Sequence, residues 1–406
     1  MQKNKKLTII AATLILGITA GCNVKMSEDA GIHRYDSFYI PQDAFPEPNY
    51  ATKEYYLKKV LRDAWGFGRL ASEPSPDPRP LSINTVPNEF LDQQMESTGL
   101  ISYLFYDNGV VKHDALSGDN RFGRYVDDST PLWTHSIGKS WTAYLVGHAI
   151  CQGYIPSVYS RVDDWPLIED TLYSNQRLLD LMNMRAGDRH VVTERDGLLS
   201  SRRWFNNHPV SVFANAELAG TERTGRFYNY NGLVTNIVLN YIFHKTGDDT
   251  QEFIDSVFRD HVGSENSIFF LTQRGSPMKL GPVRYSARAS RYDFLRVGLA
   301  MLDDWNEKNC VGNYLRTLLA ESEPKNHSNP RHPDSFQSPR RYGGFFHTHY
   351  VGMSSRKILG MDGYGGQSQL IDFENHRVVS VNTIHTNYNW GVLVYGAIRH
   401  GHIRRD

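Results

Sequence analysis

The chain has 406 residues, enough for one large domain or two ordinary ones with a sizeable buried core. Hydrophobic residues make up 40% and aromatic residues 12% of the chain, which excludes disorder as the main state. The 44 Lys and Arg residues balance the 44 Asp and Glu residues, so no net field attracts nucleic acid or an anionic membrane surface, and no nucleic-acid partner is expected.

The first 22 residues have the pattern of an export signal. Three lysines within the first six residues precede a mainly apolar run over residues 7–18, and small residues then lead to Cys22. The run is too short for a transmembrane helix, which needs roughly 20 apolar residues. We therefore expect residues 1–21 to be a cleaved signal peptide.

The segment Thr19-Ala20-Gly21-Cys22 resembles a bacterial lipobox. We expect lipidation of Cys22, with the lipid anchoring an exported bacterial lipoprotein that faces the periplasm. Asn23 stands where an inner-membrane retention signal would have Asp, which favours the outer membrane. Without lipidation the protein would be periplasmic or secreted.

Residues 22–84 have the composition of a lipidated N-terminus followed by a proline-rich tether. Prolines alternate with other residues along Ser72–Pro80, as in a stiff extended spacer. We expect the folded body to span residues 85–406. It contains Cys151 and Cys310, which could pair in an oxidising compartment or remain two separate buried thiols.

Strand patterns occur at both ends of this body. Gly99–Tyr106 and Val110–Leu116 flank an Asn-Gly pair that favours a tight hairpin, and Gln369–Phe373 and Arg377–Thr383 form a second pair of strands. Helical periodicity dominates the sequence between the two pairs. The predicted fold class is α+β: a sandwich lobe with an antiparallel sheet flanked by helices, completed by the C-terminus, and an inserted all-helical lobe over about residues 137–285.

A stretch rich in Pro, His and Asn, residues 322–349, is interpreted as a long surface loop that could border a cleft. His347 and His349, with His332 or His327, could be drawn as a metal site. No cysteine or carboxylate spacing supports it, so we expect solvated loop histidines. The sequence predicts no metal site and no cofactor.

The motif Ser136-Ile137-Gly138-Lys139 opens one of the predicted helices. Residues three apart lie on one helix face, so the Lys139 amine can reach the Ser136 hydroxyl. A serine nucleophile needs a base, and a neighbouring lysine can serve or relay protons. The ordinary alternative is a capping serine with a solvated lysine.

Two further segments accompany this motif, Leu178–Gly187 and Ser286–Arg288 with the helix that follows. Together they resemble the serine β-lactamase and penicillin-binding protein superfamily, in particular its class C-like branch, which includes esterases, D,D-peptidases and 6-aminohexanoate-dimer hydrolase. The similarity runs from about Gly99 to the C-terminus. It implies a β-lactamase/transpeptidase-like fold with Ser136 and Lys139 as catalytic residues.

The superfamily's second motif, Y-x-N or Y-x-S, is similar to the region Gly225–Gly232, where two tyrosines compete. Spacing favours Tyr230 over Tyr228 as the residue that takes the serine proton and returns it to the leaving group. Gly232 stands where the superfamily has Asn or Ser. Asn231 is therefore assigned to substrate binding in its place, with Asn229 as the other candidate.

The third motif, K-T-G or H-x-G, is matched most closely by Tyr364-Gly365-Gly366. The resemblance implies that these three residues contact substrate and that the N–H groups of Ser136 and Gln367 form the oxyanion hole. Because Tyr364 replaces the usual cation, the match favours general ester or amide hydrolysis over β-lactam hydrolysis.

The function predicted from the sequence is hydrolysis of a small-molecule or peptide ester or amide through an acyl-enzyme on Ser136, with β-lactams and D-amino peptides among the candidate substrates. Two alternatives remain. One is a catalytically degenerate, lipid-anchored binding protein on the same fold. The other is an α/β-hydrolase-type esterase, because residues 134–138 half-resemble a nucleophile elbow.

Overall fold

A computed structural model describes residues 67–192, 208–325 and 339–404, together with two strands at residues 32–35 and 38–41. The predicted signal peptide and Cys22 lie outside the described residues. None of the helices described is long and apolar enough to cross a bilayer.

The described residues form strands, α-helices and a few short helical turns. In chain order the strands are β1 (Ile32–Tyr35), β2 (Phe38–Pro41), β3 (Phe67–Ala71), β4 (Leu100–Asp107), β5 (Val110–Leu116), β6 (Leu132–Trp133), β7 (Phe269–Gln273), β8 (Val283–Ala289), β9 (Glu323–Pro324), β10 (Pro339–Gly343), β11 (Phe346–Tyr350), β12 (Ile358–Gly363), β13 (Gln367–Asp372) and β14 (Arg377–Thr383). The α-helices are α1 (Glu89–Ser97), α2 (Ile137–Cys151), α3 (Leu178–Met182), α4 (Arg189–Val192), α5 (Val210–Phe213), α6 (Leu233–Thr246), α7 (Thr250–Asp255), α8 (Arg291–Glu307), α9 (Cys310–Ala320) and α10 (Ala397–His400). Short 3-10 helices cover Pro166–Ile168, Gly247–Asp249 and Met278–Leu280, and π-helical turns cover Ala214–Leu218, Ser256–His261 and Gly391–Gly396.

The larger sheet has eight antiparallel strands in the order β5-β4-β14-β13-β12-β11-β10-β9. The C-terminal strand β14 lies beside β4, so the two ends of the body complete one sheet, which confirms the prediction. Along β4, Leu104 packs toward the main core while Tyr103 and Phe105 pack on the opposite face. Because side chains alternate along a strand, this sheet is buried on both faces, as a helix-flanked sandwich requires.

A second sheet has the strand order β3-β7-β8-β6. Its edge strand β3 pairs with β7 along its whole length, and the backbone of Ser75 and Arg79 bonds to residues 264 and 263. Residues 67–84 were predicted to belong to the tether, but they pack on the folded body. The strand Phe67–Ala71 is short and precedes the proline-rich segment. The composition of that segment decided the prediction, so the strand was not recognised in the sequence.

The segment predicted as an all-helical lobe, residues 137–285, is mainly helical but also contains β7 and the start of β8. Helix α2 packs against α6, α9 and β8, and its first thirteen residues are buried. The helix is covered all round because the insert lies on one side and the sheet on the other.

The predicted Asn-Gly hairpin turn is confirmed, and two further local signals act at helix ends. Asn108 and Gly109 have φ values of 48° and 94°, as a tight hairpin between β4 and β5 requires. Ser290 caps α8, its hydroxyl accepting from the Asp293 N–H. Gly153, with φ of 84°, follows the end of α2.

The structure decides one alternative that the sequence left open and corrects one prediction. Cys151 and Cys310 form a disulfide with a Cα–Cα distance of 5.8 Å, which resolves the alternative of two separate thiols. Residues 339–349 are not loop but the paired strands β10 and β11, and His347 is buried there. His327 and His332 lie outside the described residues.

Candidate active site

The turn that carries Ser136 is fixed from one side by strand β8. The Thr134 N–H donates to the Ala287 carbonyl over 3.0 Å, and the Thr134 hydroxyl accepts from the Ala287 N–H over 2.8 Å. His135 then adopts a positive φ of 47°, and α2 begins at Ile137. A non-glycine residue at positive φ is strained, so this anchoring holds Ser136 in a defined, half-exposed position.

The preceding strand β6 has two residues and belongs to an antiparallel sheet. An α/β-hydrolase elbow follows a buried strand of a mostly parallel sheet. The α/β-hydrolase alternative is therefore wrong for this chain.

Two glycines allow close backbone approach around Ser136. A Cβ on Gly138 would lie 2.1 Å from the carbonyl oxygen of Tyr285 on β8. A Cβ on Gly363, at the end of β12, would lie 2.8 Å from the carbonyl oxygen of Thr134. The start of α2 is therefore wedged between β8 and the end of β12, which brings the turn of residues 364–366 beside Ser136.

Lys139 lies beneath the serine and is 1% exposed. Its Nζ donates to the backbone carbonyl of Asn231 over 3.3 Å. The same Nζ lies 3.7 Å from the ring centroid of Tyr285 and 5.1 Å from that of Tyr230. A carbonyl and two ring faces thus surround a buried amine, which is the geometry of a cation–π contact.

The geometry distinguishes the two candidate tyrosines. Both rings are half-buried and pack against Tyr342, at 5.4 Å between centroids for Tyr228 and 6.0 Å for Tyr230, but the Tyr230 ring also lies 5.1 Å from the Lys139 amine. Burial raises the pKa of Tyr228 well above its ordinary value of 10.0. Tyr230 is therefore the better placed of the two to exchange a proton with Lys139.

The side chain of Asn231, predicted to bind substrate, makes hydrogen bonds within the protein. Its Nδ2 donates to Asp188 over 3.0 Å, and its Oδ1 accepts from the Val234 N–H over 3.0 Å, capping α6. The amide thus connects the loop to the helix and to Asp188. The backbone carbonyl of Asn231 accepts a hydrogen bond from the Lys139 amine.

Asp188 anchors the loop that carries Tyr230, and the sequence analysis did not identify it. The carboxylate is 1% exposed and accepts from Asn229 over 2.7 Å and from the Tyr173 hydroxyl over 2.7 Å. Burial raises the pKa of this carboxyl, and the hydrogen bonds from Asn229, Tyr173 and Asn231 oppose that rise. No local pattern in the sequence marks this residue.

Tyr285 is the second residue that was missed. Its ring covers the Lys139 amine, and a Cβ on Gly232 would lie 3.1 Å from a ring carbon of Tyr285. Glycine at 232, where the superfamily has Asn or Ser, therefore leaves room for this ring. The sequence shows that Gly232 departs from the superfamily motif, but it does not show that Tyr285, fifty residues later, packs against it.

The third predicted motif forms the hairpin turn between β12 and β13. Gly365 and Gly366 have φ values of 83° and 94°, which only glycine adopts readily. The Tyr364 ring lies 5.9 Å from the His135 ring, and the Tyr388 hydroxyl donates to the Gly366 carbonyl over 2.7 Å. The turn is thus held against the residue that precedes Ser136.

Gln367 closes this turn. Its side chain is tied to β14, since Nε2 donates to the Thr383 carbonyl and Oε1 accepts from the Thr383 N–H over 3.2 Å. A small pocket beside the turn is lined by Ile101, Leu132, Trp133, His135, Gln367, Asn382 and Thr383. The pocket lies between the Ser136 turn and the third motif, so residues from both line one concavity.

A cluster of titratable side chains joins the buried His347 to the partly buried Lys325 and Asp362. Lys325 Nζ is 2.7 Å from His347 Nδ1, and His347 Nε2 is 3.8 Å from an Asp362 carboxylate oxygen. Burial lowers the pKa of Lys325 to about 8 and that of His347 well below its ordinary 6.5. His347 is therefore no solvated loop histidine, and it lies between the Lys325 amine and the Asp362 carboxylate.

No protein family model matches the chain, and no curated protein matches it in sequence. Solved structures do match. A protein named as a 6-aminohexanoate-dimer hydrolase from Bacillus anthracis has a TM-score of 0.62 and 13% identity, covering 88% of this chain and 98% of its own. A penicillin-binding protein from Bacillus halodurans has a TM-score of 0.53 and 14% identity, covering 78% of this chain and 100% of its own.

An octameric penicillin-binding protein homologue from Pyrococcus abyssi has a TM-score of 0.53 and 16% identity, covering 77% of this chain and 75% of its own. At these identities the likeness is one of fold. The chain has the fold of the serine β-lactamase and penicillin-binding protein superfamily.

Proposed function

We propose that this protein is a serine hydrolase that cleaves an ester or amide through an acyl-enzyme on Ser136. The observation that carries the proposal is the placement of Lys139. Its buried amine lies one helical turn from the half-exposed serine and beside the ring of Tyr230. A capping serine with a solvated lysine would have an exposed amine.

In the proposed reaction the Ser136 oxygen attacks the substrate carbonyl while its proton passes to the Tyr230–Lys139 pair. The C–O or C–N bond to the leaving group then breaks, and the leaving group takes that proton. Water attacks the acyl-enzyme, releases the acid and returns a proton to Ser136. A protonated Lys139 beside Tyr230 stabilises a phenolate there, so the proton can move between the two side chains.

The proposed oxyanion hole consists of the N–H groups of Ser136 and Gln367. Within the described chain, neither the N–H nor the hydroxyl of Ser136 has a hydrogen-bond partner. An N–H group with no partner at a helix start is suited to stabilise a developing oxyanion. Tyr364, Gly365 and Gly366 would line the path of the substrate.

The substrate class follows from the third motif. Tyr364 offers no cation for a substrate carboxylate, so we propose neutral esters or amides as the main substrates. A penicillin-binding name belongs to the structural relatives and does not fix this chain's substrate. Parallel assays with p-nitrophenyl esters, nitrocefin and D-alanyl peptides would separate the classes.

We also propose that the mature protein is an exported lipoprotein anchored through Cys22. The disulfide between Cys151 and Cys310 supports an oxidising compartment. Metabolic labelling with a palmitate analogue tests the anchor: the wild type should incorporate label and Cys22→Ala should not. Label that persists in the variant would contradict the lipidation site.

Covalent labelling tests the hydrolase proposal. A fluorophosphonate probe should label the wild type, and Ser136→Ala should lose the label. Ser129→Ala, which changes an exposed serine on a turn of the same surface, serves as the matched control and should label normally. An unlabelled wild type would favour the degenerate binding protein, and full labelling of Ser136→Ala would refute the nucleophile.

A further inference from the structure

We propose that His148, His261 and Asp304 form a binding site for a divalent transition-metal ion, most suitably Zn²⁺. One ring nitrogen of each histidine and one carboxylate oxygen of Asp304 all lie within 4.8 Å of one another. His261 Nε2 is 2.9 Å from Asp304 Oδ1, and the two imidazole rings meet edge to face at 4.8 Å between centroids. Two histidines and one carboxylate are a common ligand set for zinc.

The spacing suits tetrahedral coordination. With bonds of about 2.1 Å, the ligand atoms of a tetrahedral zinc lie about 3.4 Å apart. The observed separations run from 2.9 Å up to no more than 4.8 Å. The ligand atoms are therefore already grouped near the spacing that zinc coordination needs.

The state of His148 points independently to a ligand. The residue lies on α2 and is 5% exposed, and its buried Nε2 has no hydrogen-bond partner among the described residues. A buried imidazole nitrogen without a partner is unfavourable, typically by about 1–3 kcal/mol. Coordination to a metal would satisfy the ring without any change in the fold.

Asp304 already has the second shell that metal ligands usually have. The Tyr144 hydroxyl donates to Oδ2 over 2.5 Å, and Asn309 Nδ2 donates to Oδ1 over 2.8 Å. Hydrogen bonds of this kind fix the orientation of a coordinating carboxylate. Asp304 is 1% exposed, so these contacts hold it in place before any ion binds.

The site is also accessible. The His261 side chain is 36% exposed, whereas the other two residues are buried. An ion can enter from that side, and a water molecule can occupy the fourth position. Three protein ligands with one open position satisfy the coordination number of zinc.

The position implies a structural role. The three residues come from α2, from the π-helical turn Ser256–His261 and from α8, so one ion would join three elements beside the Cys151–Cys310 disulfide. Ser136 lies twelve residues earlier on α2, about 18 Å along the helix axis. The ion would therefore stabilise the insert and take no part in hydrolysis.

Zinc binding by untagged, chelator-treated protein tests the proposal. We expect one tightly bound equivalent by isothermal titration and elemental analysis, together with a rise in Tm on addition of Zn²⁺. His261→Gln and His148→Gln should each weaken binding roughly a hundredfold and abolish the Tm shift. His244→Gln, which changes an exposed histidine elsewhere on the insert, should keep both.

His261 is partly exposed, so its variant should fold even if the His148 variant does not. Failure of the wild type to bind zinc, or unchanged binding in both ligand variants, would overturn the proposal. Zinc that binds equally to the two ligand variants and to the control would identify surface histidines as the source. Because serine labelling is not the readout, this test is independent of the proposed hydrolase activity.

Discussion

At its N-terminal end helix α2 presents a half-exposed Ser136 whose hydroxyl has no hydrogen-bond partner among the described residues, whereas its last turn is tied by a disulfide and carries His148 beside the partly exposed His261. At the N-terminal end, the front of the helix, the Lys139 amine contacts a carbonyl and aromatic rings, and these contacts leave it able to exchange a proton. At the C-terminal end, the rear of the helix, the contacts are covalent and close polar ones. One helix thus combines a reactive end with a rigid one.

The difference shows how the fold tolerates a strained, incompletely satisfied site. His135 at positive φ and the unpartnered Ser136 each cost stability. The rear of α2 offsets this, because the disulfide links residues 159 apart in sequence. Changes at the front should therefore alter turnover with little effect on folding, and changes at the rear should do the reverse.

The largest effect is expected from Lys139→Met at the front. Removing the amine deletes one member of a catalytic unit, so kcat should fall about 10³- to 10⁴-fold with KM nearly unchanged. Lys279→Met changes an exposed lysine and is the control. Steady-state kinetics on an activated ester checks this, and near-normal turnover in the Lys139 variant would refute the proton relay.

Next in size is the contrast between the two tyrosines. Tyr230→Phe removes the hydroxyl beside Lys139 and should lower kcat at least about a hundredfold, as loss of general acid–base catalysis does. Tyr228→Phe should change kcat less than about threefold. Measured side by side, the reverse ranking would reassign the proton transfer to Tyr228.

At the rear, breaking the disulfide should lower the free energy of unfolding by about 2–5 kcal/mol. The double variant Cys151→Ala/Cys310→Ala, followed by urea unfolding, measures this loss. Activity at low temperature should remain, because Ser136 is at the other end of the helix. Reductant should destabilise the wild type but not the variant, and an equal response of both would contradict the assignment.

A smaller effect is expected from Tyr285, which positions the lysine through its ring face. Tyr285→Leu should lower kcat about tenfold, consistent with the loss of a buried cation–π contact, and should shift the pH profile of kcat/KM. Tyr285→Phe keeps the ring and should leave both near normal. If Tyr285→Phe is as impaired as Tyr285→Leu, the hydroxyl matters and the ring-face account fails.

The smallest effect concerns His347. Because burial lowers its pKa well below 6.5, the unfolded chain binds a proton that the folded one does not, so folding stability falls as pH drops below 6.5. The contribution is at most about 1.4 kcal/mol per pH unit. Unfolding of His347→Gln should show a shallower acid dependence than the wild type or His376→Gln, which alters an exposed histidine.

Local features were predictable where neighbours in sequence create them. The Asn108-Gly109 turn, the Ser290 cap and the S-x-x-K spacing depend on residues a few positions apart. Asp188 and Tyr285 were not predictable, because each acts on a loop or amine more than forty residues away in sequence. Asn231 was assigned by position in a motif, and its amide proved to be engaged by Asp188.

By itself, then, the sequence determined the antiparallel sandwich closed by C-terminal strands, the helical insert and the pairing of Ser136 with Lys139 on one helix face. Periodicity and short-range spacing encode those features. Only the tertiary structure decided that β3 joins the body, that Cys151 and Cys310 pair, and that His148, His261 and Asp304 converge. These contacts join residues far apart in the chain, and their energies depend on burial and orientation, which no local pattern records.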